Sequence, residues 1–207
     1  MHVYCSGIGG VGIGPLAMLA LDAGYEVSGS DAQNSEMVEL LQKRGATISL
    51  TQTGAEIAAA HQQKPIDWFI YSSALKEDHP ELLFAGKNGI RTSKRDDFLN
   101  ELISVHELQL IAVAGTHGKT TTTGMLVWAL QQLKVPVSYS IGTSLSFGPP
   151  AQYTPGSEFF IYECDEFDRN FLHFHPQLSL IPSVDYDHAD TYPTAIVARI
   201  CGQACAR

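Results

Sequence analysis

Residues 110–133 read LIAVAGTHGKTTTTGMLVWALQQL, and the order of residue types in this stretch leaves few folds open. An apolar, β-branched run meets a glycine turn carrying a lysine followed by four threonines, and an apolar pattern of helical period follows at once. The order is strand, loop, helix. Gly115, Thr116, His117 and Gly118 can direct backbone N–H groups at phosphate oxygens, and the N-terminus of the following helix adds its partial positive charge. Lys119 is then placed to reach outer phosphates and the hydroxyl of Thr120 to coordinate Mg2+, with Thr121 beside them in the first helical turn. The motif is the short G-x-x-G-K-T, because Val113 stands where the longer form has its first glycine. A bare turn with a surface lysine would not require strand, loop, lysine, hydroxyl and helix to fall in this order.

A second glycine turn lies near the start. Residues 2–6 are a short strand candidate that runs into GIGGVGIG at 7–14. Gly7, Gly9 and Gly12 satisfy G-x-G-x-x-G, with Gly10 inside the turn, and Pro15 sits where a first helical turn accepts it. Gly24 closes that helix, residues 25–30 read as a second strand, and Asp31 ends it where a ribose-binding carboxylate is expected, about 20 residues after the fingerprint. This predicts a Rossmann-like βαβ unit that binds a nucleotide diphosphate; glycines serving only helix–sheet packing are the alternative.

The alternation continues with a helix at 35–44, whose Met37, Leu40 and Leu41 share a face, a strand-like stretch at 46–50 and a short helix at 54–63. A buried strand at 66–71 ends in Ser72 and Ser73, at the carboxyl edge where open α/β sheets bind ligands; both could face a ligand or simply turn the chain. Helices beginning at Pro80 and at Lys94, the latter containing Arg95, complete a doubly wound, mostly parallel sheet over residues 1–105. Residues 106–109 read as a hinge, and 106–207 as a second domain.

In that second part, strands are predicted at 137–141, 158–164 and 178–184, with 142–156 as a surface loop. The second strand delivers Glu163, Asp165, Glu166 and Asp168, and the third ends in DYDHAD at 185–190. Acids and a histidine thus reach the sheet edge of the phosphate loop, an arrangement that builds a Mg2+ site, although a solvated acidic turn is the alternative for DYDHAD. His173 and His175 read as partly buried structural residues, which leaves His117 as the better functional candidate.

With 44% hydrophobic and 17% charged residues, 207 residues suffice for one large or two small soluble domains. A net charge of -9 without a basic tract argues against nonspecific binding to nucleic acid or anionic membrane, so anionic ligands must be bound by local geometry. The first residues lack a secretory pattern and no apolar run is long enough for a bilayer, which predicts a cytoplasmic protein. Cys5, Cys164, Cys201 and Cys205 are read as free thiols.

GIGGVGIG, SGSD at 28–31, YSSALKEDHPEL at 71–82, RDDFLNEL at 95–102, AGTHGKTTTT at 114–123, ECDEFDRNFLHFHP at 163–176 and DYDHADTY at 185–192 together resemble the Mur ligases, the ATP-dependent amide-bond ligases of bacterial cell-wall precursor synthesis. The resemblance implies a domain holding a UDP-sugar, a central P-loop ATPase domain and a C-terminal domain. It implies UDP-N-acetylmuramate and L-alanine as substrates, and ATP with Mg2+. The loop containing Gly7, Gly9, Gly10 and Gly12 would hold the UDP diphosphate, Asp31 would lie by the nucleoside, and Lys119 would bind ATP phosphates. Thr120, Glu163 and His188 would serve Mg2+, with Lys119, Glu163 and His188 as the catalytic set.

Within the family, YSSALKEDHPEL favours L-alanine as the amine, whereas Phe167 and DHAD are similar to a member that adds a murein tripeptide to the same UDP-sugar. After Tyr192 the tail PTAIVARICGQACAR departs from the family's continuation. The expectation is an incomplete chain, from a truncated or frameshifted gene, that cannot complete ligation. A noncatalytic UDP-sugar-binding module is a second reading. A nicotinamide-dependent oxidoreductase is a third, but it leaves GTHGKTTTT and DYDHAD unexplained.

Overall fold

A computed structural model describes residues 1–72, 74–164 and 174–183. The chain divides into two compact units, Met1–Leu99 and Asn100–Arg207, with the division inside one helix.

The first unit alternates β1 (His2–Ser6), α1 (Gly14–Asp22), β2 (Glu26–Ser30), α2 (Glu36–Lys43), β3 (Thr47–Ser49), α3 (Ala55–Gln63), β4 (Trp68–Tyr71), α4 (Pro80–Lys87), β5 (Arg91–Lys94) and the start of α5 (Arg95–Val105). Its sheet runs β3-β2-β1-β4-β5, every pair parallel. The chain therefore reverses direction across the sheet at β1, and the carboxyl ends of β1 and β4 flank the switch point where such sheets bind ligands. β1 is buried at all five positions, as a central parallel strand covered on both faces must be.

Two local details differ from the sequence reading. The polar RTSK segment is strand β5, an edge strand that the apolar pattern does not reveal, and Arg91 stacks its guanidinium 3.4 Å from the ring centroid of Trp68 on β4. In α2 the buried positions are Val38 and Leu41, not a face led by Met37. Its amino end is capped by Ser35, whose Oγ accepts the Val38 amide at 3.3 Å.

The second unit holds β6 (Gln109–Val113), α6 (Lys119–Gln132), β7 (Val137–Ser140), β8 (Ala151–Gln152), β9 (Phe159–Glu163) and β10 (Leu178–Leu180), in the order β10-β6-β9-β7-β8. All pairs are parallel except β7 with β8, a two-residue strand inside the segment expected to be loop. Val127 of α6 packs with Val113, Val137, Tyr139, Ile141 and Ile161 in the core beneath the helix. Register decides what meets at the sheet edge: Val113 pairs with Glu163 on one side and Leu180 on the other. Glu163 therefore stands level with the end of β6, two residues before the glycine turn begins.

Candidate functional site

In the first unit, backbone hydrogen bonds define the glycine turn between β1 and α1. The amides of Gly7 and Ile8 both donate to the Ser30 carbonyl, at 2.9 and 3.0 Å. The Gly9 amide donates to Asp31 Oδ2 at 2.8 Å, and the Gln33 amide to Asp31 Oδ1 at 3.1 Å. Gly10 donates to the Gly7 carbonyl, and Ile13 and Gly14 donate to that of Gly10. Gly7, Gly9, Gly10 and Asp31 thus spend these groups on holding the turn in shape. The amides left without an acceptor among the described residues are those of Val11 and Gly12, at the tip.

Val11 is 92% exposed there, and Arg95 Nη1 stands 3.2 Å from where a Cβ on Gly12 would be. Two open amides, the start of α1 and a guanidinium form a set of donors suited to an anion. Sequence reasoning placed Arg95 at a helix start but gave it no role; its place beside Gly12 comes from the β5–α5 junction, which the missed strand hid. Ser72 is half-buried at the end of β4, its carbonyl accepting the Leu75 amide at 3.0 Å. Ser73 lies outside the described residues.

The loop of the second unit joins β6 to α6. Gly115 has φ +126°, and a Cβ there would stand 2.5 Å from the Ser183 carbonyl oxygen, so glycine is required on both counts. Ser183, just past β10, braces the loop. Its carbonyl accepts the Thr116 amide at 3.1 Å, while its Oγ accepts the His117 amide at 2.8 Å and donates to the His117 carbonyl at 3.2 Å. The sequence reading assigned Ser183 only to a strand. The Lys119 ammonium folds back into the loop, donating to the carbonyls of Gly115 at 2.6 Å and Thr116 at 3.2 Å. The amides of Gly118, Thr120 and Thr121 have no acceptor among the described residues. They point the partial positive charge of α6 at whatever the loop encloses.

Thr120 Oγ1 donates to Glu163 Oε1 at 2.6 Å, and the Gly142 amide donates to Glu163 Oε2 at 2.8 Å. A hydroxyl and a carboxylate therefore meet beside the loop. These are hard oxygen donors of the kind Mg2+ accepts, and Mg2+ commonly uses one or two protein oxygens together with waters and substrate phosphates. Among the described residues, no group of three or more His, Cys, Asp or Glu could hold a metal ion. His188, Asp165, Glu166 and Asp168 lie outside the described residues, as does His173. His117 is exposed and His175 is exposed.

A doubly wound unit with a fingerprint glycine turn, followed by a unit with a phosphate-type loop and an oxygen-donor pair, defines an α/β protein of two parallel-sheet units. Residues 2–107 match the family model described as "Mur ligase family, catalytic domain". The chain belongs to the Mur ligase family.

Similarity extends past the residues matched by that model. The UDP-N-acetylmuramate–L-alanine ligase of Coxiella burnetii (strain Dugway 5J108-111) is 38% identical over 191 residues, covering 92% of this chain and 39% of that protein. The enzyme of the same name from Streptomyces griseus is 40% identical over 187 residues, with 90% and 38% covered. The chain therefore spans about two fifths of the length of these curated relatives. Among solved structures, UDP-N-acetylmuramate-alanine ligase from Thermotoga maritima superposes with a TM-score of 0.85 at 25% identity, over 99% of this chain and 46% of that one. The UDP-N-acetylmuramate:L-alanyl-gamma-D-glutamyl-meso-diaminopimelate ligase from Neisseria meningitides gives 0.83 at 28% identity, over 99% and 67%. No helix of the described residues is long and apolar enough to cross a membrane.

Proposed function

We propose that the chain serves an ATP-dependent ligase joining L-alanine to UDP-N-acetylmuramate, its first unit holding the UDP-sugar and its second the Mg-ATP. The observation that carries this reading is the Thr120–Glu163 pair beside a glycine loop that already encloses the Lys119 ammonium. The names of the relatives support the substrates, and L-alanine is favoured over a murein peptide because the relatives of 38–40% identity are alanine ligases.

In the first unit, the amides of Val11 and Gly12 and the Arg95 guanidinium receive the diphosphate, while Asp31 keeps lone pairs for the nucleoside side. In the second, the amides of Gly118, Thr120 and Thr121 receive phosphate oxygens, and Lys119 turns from the loop carbonyls to the outer phosphates. Thr120 and Glu163 hold Mg2+, which supplies charge neutralisation at the transferring phosphoryl group. His188 is the proposed third protein ligand. The muramate carboxylate attacks the γ-phosphate and ADP leaves, giving an acyl phosphate. The L-alanine amine then attacks the acyl carbon, and inorganic phosphate departs from the tetrahedral intermediate as the amide forms, carrying away the proton the amine gives up. Lys119 offsets the charge that develops on these oxygens.

The test is titration with a fluorescent ATP analogue, with and without Mg2+, on the parent chain and on Lys119→Ala. The expected result is Mg2+-dependent binding by the parent and at least about tenfold weaker binding by the variant. Nucleotide binding indifferent to both Mg2+ and Lys119 refutes the assignment of the second unit.

A further inference from the structure

Beneath the glycine turn of the first unit lies a buried polar cluster that the ligand-binding set does not use. Glu81, in the first turn of α4, is fully buried. Its carboxylate is held by hydroxyls: Tyr4 donates to Oε1 at 2.7 Å, and Ser6 and Ser30 donate to Oε2 at 2.6 and 2.8 Å. Gln52 Nε2 in turn donates to Ser6 Oγ at 3.3 Å and Ser30 Oγ at 3.1 Å. The pattern is directional, amide to hydroxyl to carboxylate, because each serine has one proton to give and lone pairs to receive. Burial, then the Glu81 carboxylate beside it, push the Tyr4 hydroxyl well above its ordinary value and keep it a donor.

A buried carboxylate is costly unless its oxygens are satisfied, and a core that needed only volume would be served by an apolar side chain. The place of the cluster explains what it adds. Ser6 immediately precedes Gly7. Ser30 carries the carbonyl that takes the Gly7 and Ile8 amides, and the next residue is Asp31, which takes the Gly9 amide. Through the two serines, one carboxylate ties together the carboxyl ends of β1 and β2, the two strands between which the turn is strung.

We propose that Glu81 is a positioning residue for the glycine turn, fixing Ser6 and Ser30 so that Val11 and Gly12 are presented to a nucleotide diphosphate. The ligand rests on the function proposed above; the positioning does not. Glu81→Gln keeps the shape but replaces one acceptor oxygen by a donor that faces hydroxyl protons. Ser30→Ala cuts the tie to β2 with a smaller change and serves if the first variant does not fold.

Two readouts are needed, made well below the unfolding temperature. In the ligand-free chain, amide hydrogen exchange at Gly7 and Ile8 accelerates at least about tenfold in either variant, while amides of β5 keep their rates. UDP-N-acetylmuramate binds about tenfold more weakly, while Mg-ATP affinity in the second unit is unchanged. A folded variant with parental exchange at Gly7 and Ile8 overturns the positioning role, as does equal weakening of both ligands. If the parent chain itself does not bind the UDP-sugar, the functional reading fails, and the exchange rates alone decide the role of Glu81.

Discussion

Alanine at position 9 would place a methyl group where three atoms already stand. Its Cβ would meet Ser35 Oγ and Val38 Cγ2 at 2.8 Å each and Asp31 Oδ2 at 3.0 Å. None of the three can retreat cheaply: Val38 is fully buried, Ser35 caps α2, and Asp31 accepts the Gly9 amide. Overpacking of this kind costs about 1–3 kcal/mol, and losing the Ser35 cap adds about 1 kcal/mol. For a unit of this size each kcal/mol lowers Tm by about 4–8 °C, so Gly9→Ala should lower the unfolding temperature of the first unit by at least about 4 °C. Gly86 is the internal control. It lies exposed in α4 with no atom within 4 Å of its would-be Cβ, and Gly86→Ala should stabilise by about 0.5–1 kcal/mol. Scanning calorimetry on both variants reads the difference. A Gly9→Ala chain as stable as the parent would refute the claim that the turn is closely packed against α2.

Three further outcomes follow from single contacts. Glu163→Gln removes the carboxylate shared by Thr120 and Gly142, and should abolish the Mg2+ dependence of ATP-analogue binding while leaving UDP-sugar binding intact. The Thr51 hydroxyl, followed by the backbone and Thr53, holds the Glu56 carboxyl down at about 2. The sign is that of a depressed acid: its contribution is full above the unfolded value of about 4.3 and lost as pH falls toward about 2. NMR titration should find that low value, and Glu56→Gln should flatten this part of the acid-unfolding curve. Burial pushes the Cys5 thiol up to about 12, so at neutral pH a disulfide reagent should modify it only on unfolding, monitored by the rate of thiol release.

Both glycine turns were legible because each depends on residues contiguous in sequence: glycines at fixed offsets in the first, glycine, lysine and hydroxyl in the second, with an apolar run ahead of each. The strands β4, β6 and β9 were legible because burial makes them apolar, and β1, β2 and β7 from their place next to glycine or proline helix breaks. β5 was not, since an edge strand can be as polar as RTSK while its pairing with β4 supplies the stability. Arg95, Ser183 and Glu81 escaped for a common reason. Each acquires its role from a residue far away in sequence, at Gly12, His117 and Ser30, and no local pattern announces such a meeting. Thr120 and Glu163 were named together from the family resemblance, and local pattern alone showed only two elements reaching one sheet edge; the parallel register of β6 with β9 is what brings the oxygens to 2.6 Å.

Calorimetric titration of the purified chain with UDP-N-acetylmuramate, with NAD as the comparison ligand, tests the central claim most directly. The expected result is saturable binding of the UDP-sugar, weakened by Arg95→Ala, and no binding of NAD. A folded chain that binds NAD and ignores the UDP-sugar would contradict it.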